Sequence, residues 1–149
     1  SFHTRRSSDL NENIDETRTR GIELAYAFHN GPYVIDAGIT LQDPKDLTTD
    51  KQLARRAKEK YSLTGRYLGD GFSGSAELTH TGERPDSAYS DVILEAYTLL
   101  NLSATKSIAK AFHLGLRLKN LTDEDYQLAD GFNTAGRSIF VDLRYTKNK

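Results

Sequence analysis

The residue types that could do chemistry in this chain are few and poorly placed for it. His29, His80 and His113 are far apart and share no paired ligand spacing, so each reads as a hydrogen-bonded or exposed imidazole rather than a metal ligand. Asp123, Glu124 and Asp125 form an acidic run that would attract Ca²⁺, but it lacks the ligand spacing of a calcium loop and reads as a solvated turn. Residues 71–75, GFSGS, fall short of the Gly-x-Ser-x-Gly pattern, and no nucleophile, base and orienting group can be assembled. Cysteine is absent and there is no glycine-rich phosphate loop. Neither an enzyme nor a bound cofactor or metal is expected. Binding remains. Tyr126, Gln127, Asp130, Phe132 and Asn133 gather aromatic faces, amides and a carboxylate into one loop, a set suited to stacking on a flat macrocycle and hydrogen-bonding its amides. The same set suits a siderophore, and it equally suits a loop that only packs.

Composition narrows what must position that loop. Lys plus Arg number 20 against 21 Asp plus Glu, which gives no electrostatic case for nucleic acid. Hydrophobic residues make up 37% of the 149 and mean hydropathy is −0.61. No apolar run approaches the roughly 18 residues of a transmembrane helix. A membrane-spanning barrel is a different matter, because each strand needs only about 10 residues with apolar side chains at alternate positions.

Alternation of that kind runs through the chain. In residues 17–29, Ile22, Leu24, Tyr26 and Phe28 share one face while Gly21, Glu23, Ala25 and Ala27 share the other. Asn30-Gly31 signals a hairpin, and residues 33–42 resume the pattern. Residues 43–56 read as a polar connection opened by an Asp-Pro turn signal. A short helix from Lys51 competes there, through the spacing of Leu53, Ala57 and Tyr61, but loop followed by strand is preferred. A strand over 61–68, a tight turn at 69–71, a strand over 72–84, a loop over 85–96 and a strand over 97–107 follow. In the last of these, Leu99, Leu100 and Leu102 break strict alternation, and Leu100, Leu102 and Ala104 are placed outward. Residues 112–120 and a final strand from Ser138 close the chain, with Ile139, Val141, Leu143 and Tyr145 alternating against Phe140, Asp142 and Arg144.

The expected fold is therefore all-β, an antiparallel meander of about seven strands. Its connections alternate between short and long, the habit of outer-membrane barrels with short periplasmic turns and long extracellular loops. Phe28, Tyr33, Tyr67, Phe72, Phe112 and Tyr145 all fall near the short turns on the apolar face, where an interfacial girdle would lie. A soluble sandwich also produces alternating strands, but it has no reason to collect aromatics at one level. Seven is odd, whereas bacterial single-chain barrels have even strand numbers, so a larger barrel is expected. Residues 1–10 carry neither periodicity nor a secretory signal, resemble translated sequencing-adapter sequence, and are expected to be foreign to the protein and to pack against nothing.

On these strands sit residues that carry a family resemblance. Asn120-Leu121, Asp123, Tyr126, Gly131-Phe132-Asn133-Thr134 and Gly136-Arg137, followed by an alternating terminal strand, resemble the closing segment of TonB-dependent outer-membrane receptors. Arg20-Gly21-Ile22-Glu23-Leu24, Leu53 with Arg55-Arg56-Ala57, and Gly82 with Arg84 and Asp86 are similar to further stretches of that family. The Gly-aromatic-x-Thr-x-Gly-Arg end resembles its vitamin B12 (cobalamin) branch. The resemblance implies that residues 11–149 are the C-terminal part of a plugged transmembrane barrel of about 22 strands in the bacterial outer membrane. The complete receptor would take up cobalamin, a related corrinoid or another large ligand, and would meet TonB through an N-terminal plug missing from this chain. The lipid of the outer membrane would be its other partner. Tyr126, Asp130, Phe132 and Asn133 are the candidate ligand-binding residues. The alternatives are a siderophore receptor, a soluble all-β binding domain and a hydrolase barrel. Two departures stand out: family chains end on an aromatic residue, whereas Lys147-Asn148-Lys149 follow Tyr145 and Thr146 here, and Trp is absent.

Overall fold

The computed structural model describes residues 16–146. The segment expected to be foreign, residues 1–10, and the Lys147-Asn148-Lys149 tail lie outside the described residues. The strands are β1 (Thr17–Asn30), β2 (Tyr33–Asp46), β3 (Glu59–Gly69), β4 (Phe72–Thr81), β5 (Arg84–Pro85), β6 (Ile93–Leu94), β7 (Tyr97–Ala109), β8 (Phe112–Lys119) and β9 (Ser138–Tyr145). Seven form one antiparallel sheet in the order β1-β2-β3-β4-β7-β8-β9, and β5 pairs with β6 in a separate ribbon. The expected meander is present, with each strand of the large sheet beside its neighbour in sequence once the ribbon is set aside.

Register decides which residues share a face, because paired residues in antiparallel strands point the same way. Leu24 pairs with Ile39, Ile39 with Tyr61, Leu63 with Leu78 and Leu78 with Leu100. Farther across, Ala104 pairs with Leu116 and Leu116 with Val141. These side chains form one continuous apolar face, and the outward placement of Leu100, Leu102 and Ala104 is correct. The opposite face is polar: Arg66 and Asp36 form an ion pair, the Ser75 and Ser103 hydroxyls are 2.9 Å apart, and Asn101 Nδ2 donates to Glu77 at 3.3 Å.

Three tight turns lie at one end. The β1–β2 turn places Gly31 at φ +56°, a left-handed value that a side chain disfavours. Asn30 is the last strand residue there, paired with Tyr33. Asp70-Gly71 and Lys110-Ala111 make the other two turns, the latter beside a bulge between Ser107 and Ala109. Five of the six aromatics expected at this level meet in neighbouring pairs. Ring centroids are 5.4 Å apart for Tyr33 and Tyr67, 6.0 Å for Tyr67 and Phe72, and 5.2 Å for Phe112 and Tyr145.

At the other end the structure corrects three boundaries. β2 does not stop before Asp43-Pro44 but continues to Asp46, with Thr19 opposite Pro44. The Pro44 carbonyl accepts from Leu53 in the following connection. The nitrogen of a strand residue points to the same side as its carbonyl, so the missing N–H faces a loop where the ladder needs no donor. β4 ends at Thr81 rather than at Arg84, which belongs to β5. The connection read as a loop over 85–96 contains β6 and pairs with β5. Residues 51–58 are irregular rather than helical.

The most enclosed packing also sits at this end. Among the described residues the buried apolar side chains are Val34, Ala57 and Leu94, together with Pro44. Three of these four belong to the loop end, and the large sheet has no second layer stacked on it among the described residues.

Candidate functional site

The long connections, residues 47–58, 82–96 and 120–137, meet over the end of the sheet opposite the tight turns. The last is the loop expected to bind. Asn120 opens it in a left-handed conformation, φ +50°, with only 4% of its surface exposed. Its Nδ2 donates to the Glu124 carbonyl at 2.8 Å, and its Oδ1 accepts the Glu124 amide at 2.9 Å. Its own amide donates to Asn101 Oδ1 on β7 at 3.0 Å. Asn tolerates this backbone shape better than most residues and its short amide closes the turn locally. At the far side, Asp123 accepts the Arg137 amide at 2.8 Å and its guanidinium at 3.3 Å. The amide, then the side-chain hydrogen bond, then the charge hold the Asp123 carboxyl below its ordinary range. The acidic run is thus part of a loop clasp.

Between these clasps the tip is a small hairpin. Gln127 and Asn133 form an isolated bridge, Thr134 Oγ1 donates to the Tyr126 carbonyl at 2.7 Å, and the Phe132 amide donates to Ala129 at 3.2 Å. Gly131, at φ +75°, supplies the left-handed residue of that last turn. The four candidate residues are therefore brought into one short segment, but in different settings. Tyr126 is half-buried with its ring 4.6 Å from the Tyr97 ring. Asp130 and Asn133 are exposed. Phe132, at the tip, is 71% exposed.

Residues whose role the sequence left unassigned hold the tip in place. Arg84, only 5% exposed, donates to the Gln127 carbonyl at 2.8 Å and lies 5.2 Å from the centroid of the Tyr97 ring. A buried guanidinium needs such partners to offset lost hydration. Asp86 accepts the Asp130 amide at 3.1 Å and pairs with Arg55 at 3.2 Å. The Arg55 amide in turn donates to the Pro85 carbonyl at 2.7 Å. The Arg55, Arg84 and Asp86 pattern is visible in sequence, but nothing local names its partners.

The histidines stand on different faces. His80 lies on the apolar face, stacked on Tyr61 at 5.5 Å with Nδ1 2.8 Å from Thr98 Oγ1. His113 lies on the polar face, with Nδ1 3.0 Å from Ser107 Oγ.

Comparison with known proteins agrees with this architecture. The family described as TonB dependent receptor-like, beta-barrel, matches residues 2–121. The chain belongs to that family. As a TonB-dependent receptor barrel it lies in the bacterial outer membrane, so its apolar face is the lipid-facing one and the family is one of receptors rather than enzymes. The chain is 35% identical over 138 residues to the vitamin B12 transporter BtuB of Vibrio vulnificus, covering 89% of this chain and 22% of that protein. It is 31% identical over 133 residues to BtuB of Photobacterium profundum, with the same coverages. The chain thus spans about a fifth of the length of these relatives. Among solved structures, the Pseudomonas aeruginosa pyoverdine receptor FpvA superposes with a TM-score of 0.74 at 19% identity, over 87% of this chain and 19% of that one. The ferric-catecholate import receptor Fiu of Escherichia coli superposes with a TM-score of 0.69 at 18% identity, over 87% and 21%. At such identities these structures speak to the fold.

Proposed function

We propose that this chain is the C-terminal barrel segment of a receptor that takes up cobalamin or a related corrinoid, and that residues 126–133 form part of its ligand face. The observation that carries the reading is the 35% and 31% identity to proteins named as vitamin B12 transporters over most of the chain. The exposed Phe132 ring offers a stacking surface, Asn133 and Asp130 offer polar groups beside it, and Tyr126 anchors the segment through Tyr97. In the complete receptor, an N-terminal plug would meet TonB and release the captured ligand inward.

The test is equilibrium binding of cyanocobalamin to the receptor carrying this segment, with a ferric siderophore as competitor. Phe132→Ala is expected to weaken cyanocobalamin by about 1 to 3 kcal/mol, between an ordinary contact and a hot spot, at unchanged yield of heat-resistant barrel. Undiminished affinity at normal yield would remove Phe132 from the site. Displacement of cyanocobalamin by the siderophore at lower concentration would reassign the substrate.

A further inference from the structure

The tip of the closing loop is also held by the connection between β4 and β7. Residues 126–134 reach that connection through Arg84, whose guanidinium bonds the Gln127 carbonyl, and through Asp86, which accepts the Asp130 amide. The same Asp86 oxygen receives Arg55 Nε at 3.2 Å, and the Asp86 carbonyl receives Arg55 Nε at 3.1 Å. Arg55 belongs to the connection between β2 and β3. One carboxylate therefore joins three separate loops. Its side chain is only 13% exposed, whereas that of Arg55 is 58% exposed, so water competes at the guanidinium more than at the carboxylate. Its backbone is fixed as well, because the Asp86 amide donates to Val92 at 3.0 Å across the β5–β6 ribbon.

We propose that Asp86 is a positioning residue for ligand capture. It holds the three connections as one body, so that the tip with Phe132 is already in its binding geometry before ligand arrives. Arg84 is the second anchor of that body. The proposal rests on the reading of residues 126–133 as a ligand face. Its physical content is preorganisation: apparent affinity falls in proportion to the fraction of molecules whose loop stands in the competent arrangement. A brace acting through Asp130 also has a chemical signature. Asp86→Asn keeps a carbonyl oxygen for the Asp130 amide and loses only the charge, whereas Asp86→Ala loses both.

The experiment uses the receptor carrying this segment, in lipid nanodiscs. The chain holds no cysteine, so Ser90→Cys and Ala135→Cys introduce two spin labels, one on each of two loops. Native receptor is expected to give a narrow distance distribution, Asp86→Ala a broad one, and Asp86→Asn one between them. Amide exchange in residues 51–57 and 126–134 is expected to quicken together by about tenfold or more in Asp86→Ala. Cyanocobalamin affinity is expected to fall in proportion to the native-like share of the distance distribution, at unchanged yield of heat-resistant barrel. Faster exchange confined to residues 84–94 would overturn the brace. A native-like share that shrinks severalfold with undiminished affinity would overturn the positioning role. If Asp86→Ala fails to assemble, Arg55→Gln cuts the link to residues 51–57 and leaves the Asp86–Asp130 bond in place. Exchange is then expected to quicken in residues 51–57 with a smaller change in 126–134, and unchanged exchange in 51–57 would overturn the brace. A native receptor that leaves cyanocobalamin unbound would sink the ligand assignment, while the exchange data would still decide the brace.

Discussion

Leu116 and Arg117 are consecutive residues on β8 whose environments should differ by most of the membrane's electrostatic penalty. Leu116 pairs with Ala104 and Val141 on the lipid-facing side, and Arg117 pairs with Ser103 and Phe140 on the polar side. Its guanidinium lies 5.7 Å from the Phe140 ring. Leu116 is four residues beyond Phe112, which belongs to the aromatic level. At about 3.3 Å per residue and a strand tilt of about 40°, this sets it roughly 10 Å in from that level. An apolar band about 25 Å tall has its centre close to that depth. Leu116→Arg should therefore cost about 2 to 4 kcal/mol, a factor of roughly 30 to 1,000 in the folding equilibrium. Thr79 faces the polar side, opposite Ser62 and Leu99, so Thr79→Arg should change stability little. The assay is reversible urea unfolding of the complete barrel in lipid vesicles, with heat-resistant migration as the measure of assembly. Equal losses for the two variants would refute the assignment of faces.

The clasps of the closing loop supply two further expectations. Asn120→Ala removes both side-chain bonds to Glu124 and forces alanine into φ +50°. It should cost about 2 to 4 kcal/mol, of which about 1 comes from the backbone shape; Asn120→Gly should recover that backbone share, and indistinguishable unfolding midpoints for the two would discredit it. Asp123 has its carboxyl lowered by the Arg137 amide first and the Arg137 side chain second. A lowered folded value means that its contribution is complete above the ordinary carboxylate range and is lost as pH falls through that lower value. The Arg137 amide resonance should accordingly titrate only at more acid pH than a free aspartate, and not at all in Asp123→Asn.

How much of this is legible in the sequence depends on the distance over which each feature is decided. The faces are legible because alternation is a local property: Phe112, Leu114, Leu116 and Leu118 identify their side of the sheet without knowledge of any partner. The run Leu99, Leu100 and Leu102 is harder, since Leu99 places an apolar side chain on the polar face near the loops, opposite Thr79. The Asp43-Pro44 boundary defeats a breaker rule that assumes a ladder on both sides of the strand, because the loop replaces the ladder on one. β5 and β6 contribute two residues each, too few to show any period. The brace is not legible at all. Asp86 finds Arg55 31 positions away and Asp130 44 positions away, and no spacing rule connects residues that the sheet brings together from three loops.

This division also explains why the family can be read so readily and the ligand only by resemblance. Six of the residues that carry the likeness, Arg55, Arg84, Asp86, Asn120, Asp123 and Arg137, are ones the structure uses to clasp and join loops. Phe132 stands outside these bonds, with its ring in solvent at the tip. Motif residues of this kind report how the loop is built, and any receptor needing the same loop architecture could retain them whatever it binds. On the proposed ligand face, specificity would then reside in the tip side chains and in surfaces beyond this segment. Exchanging residues 130–133 between receptors should move ligand preference without disturbing assembly, whereas exchanging Asp86 or Asn120 should disturb the loop first.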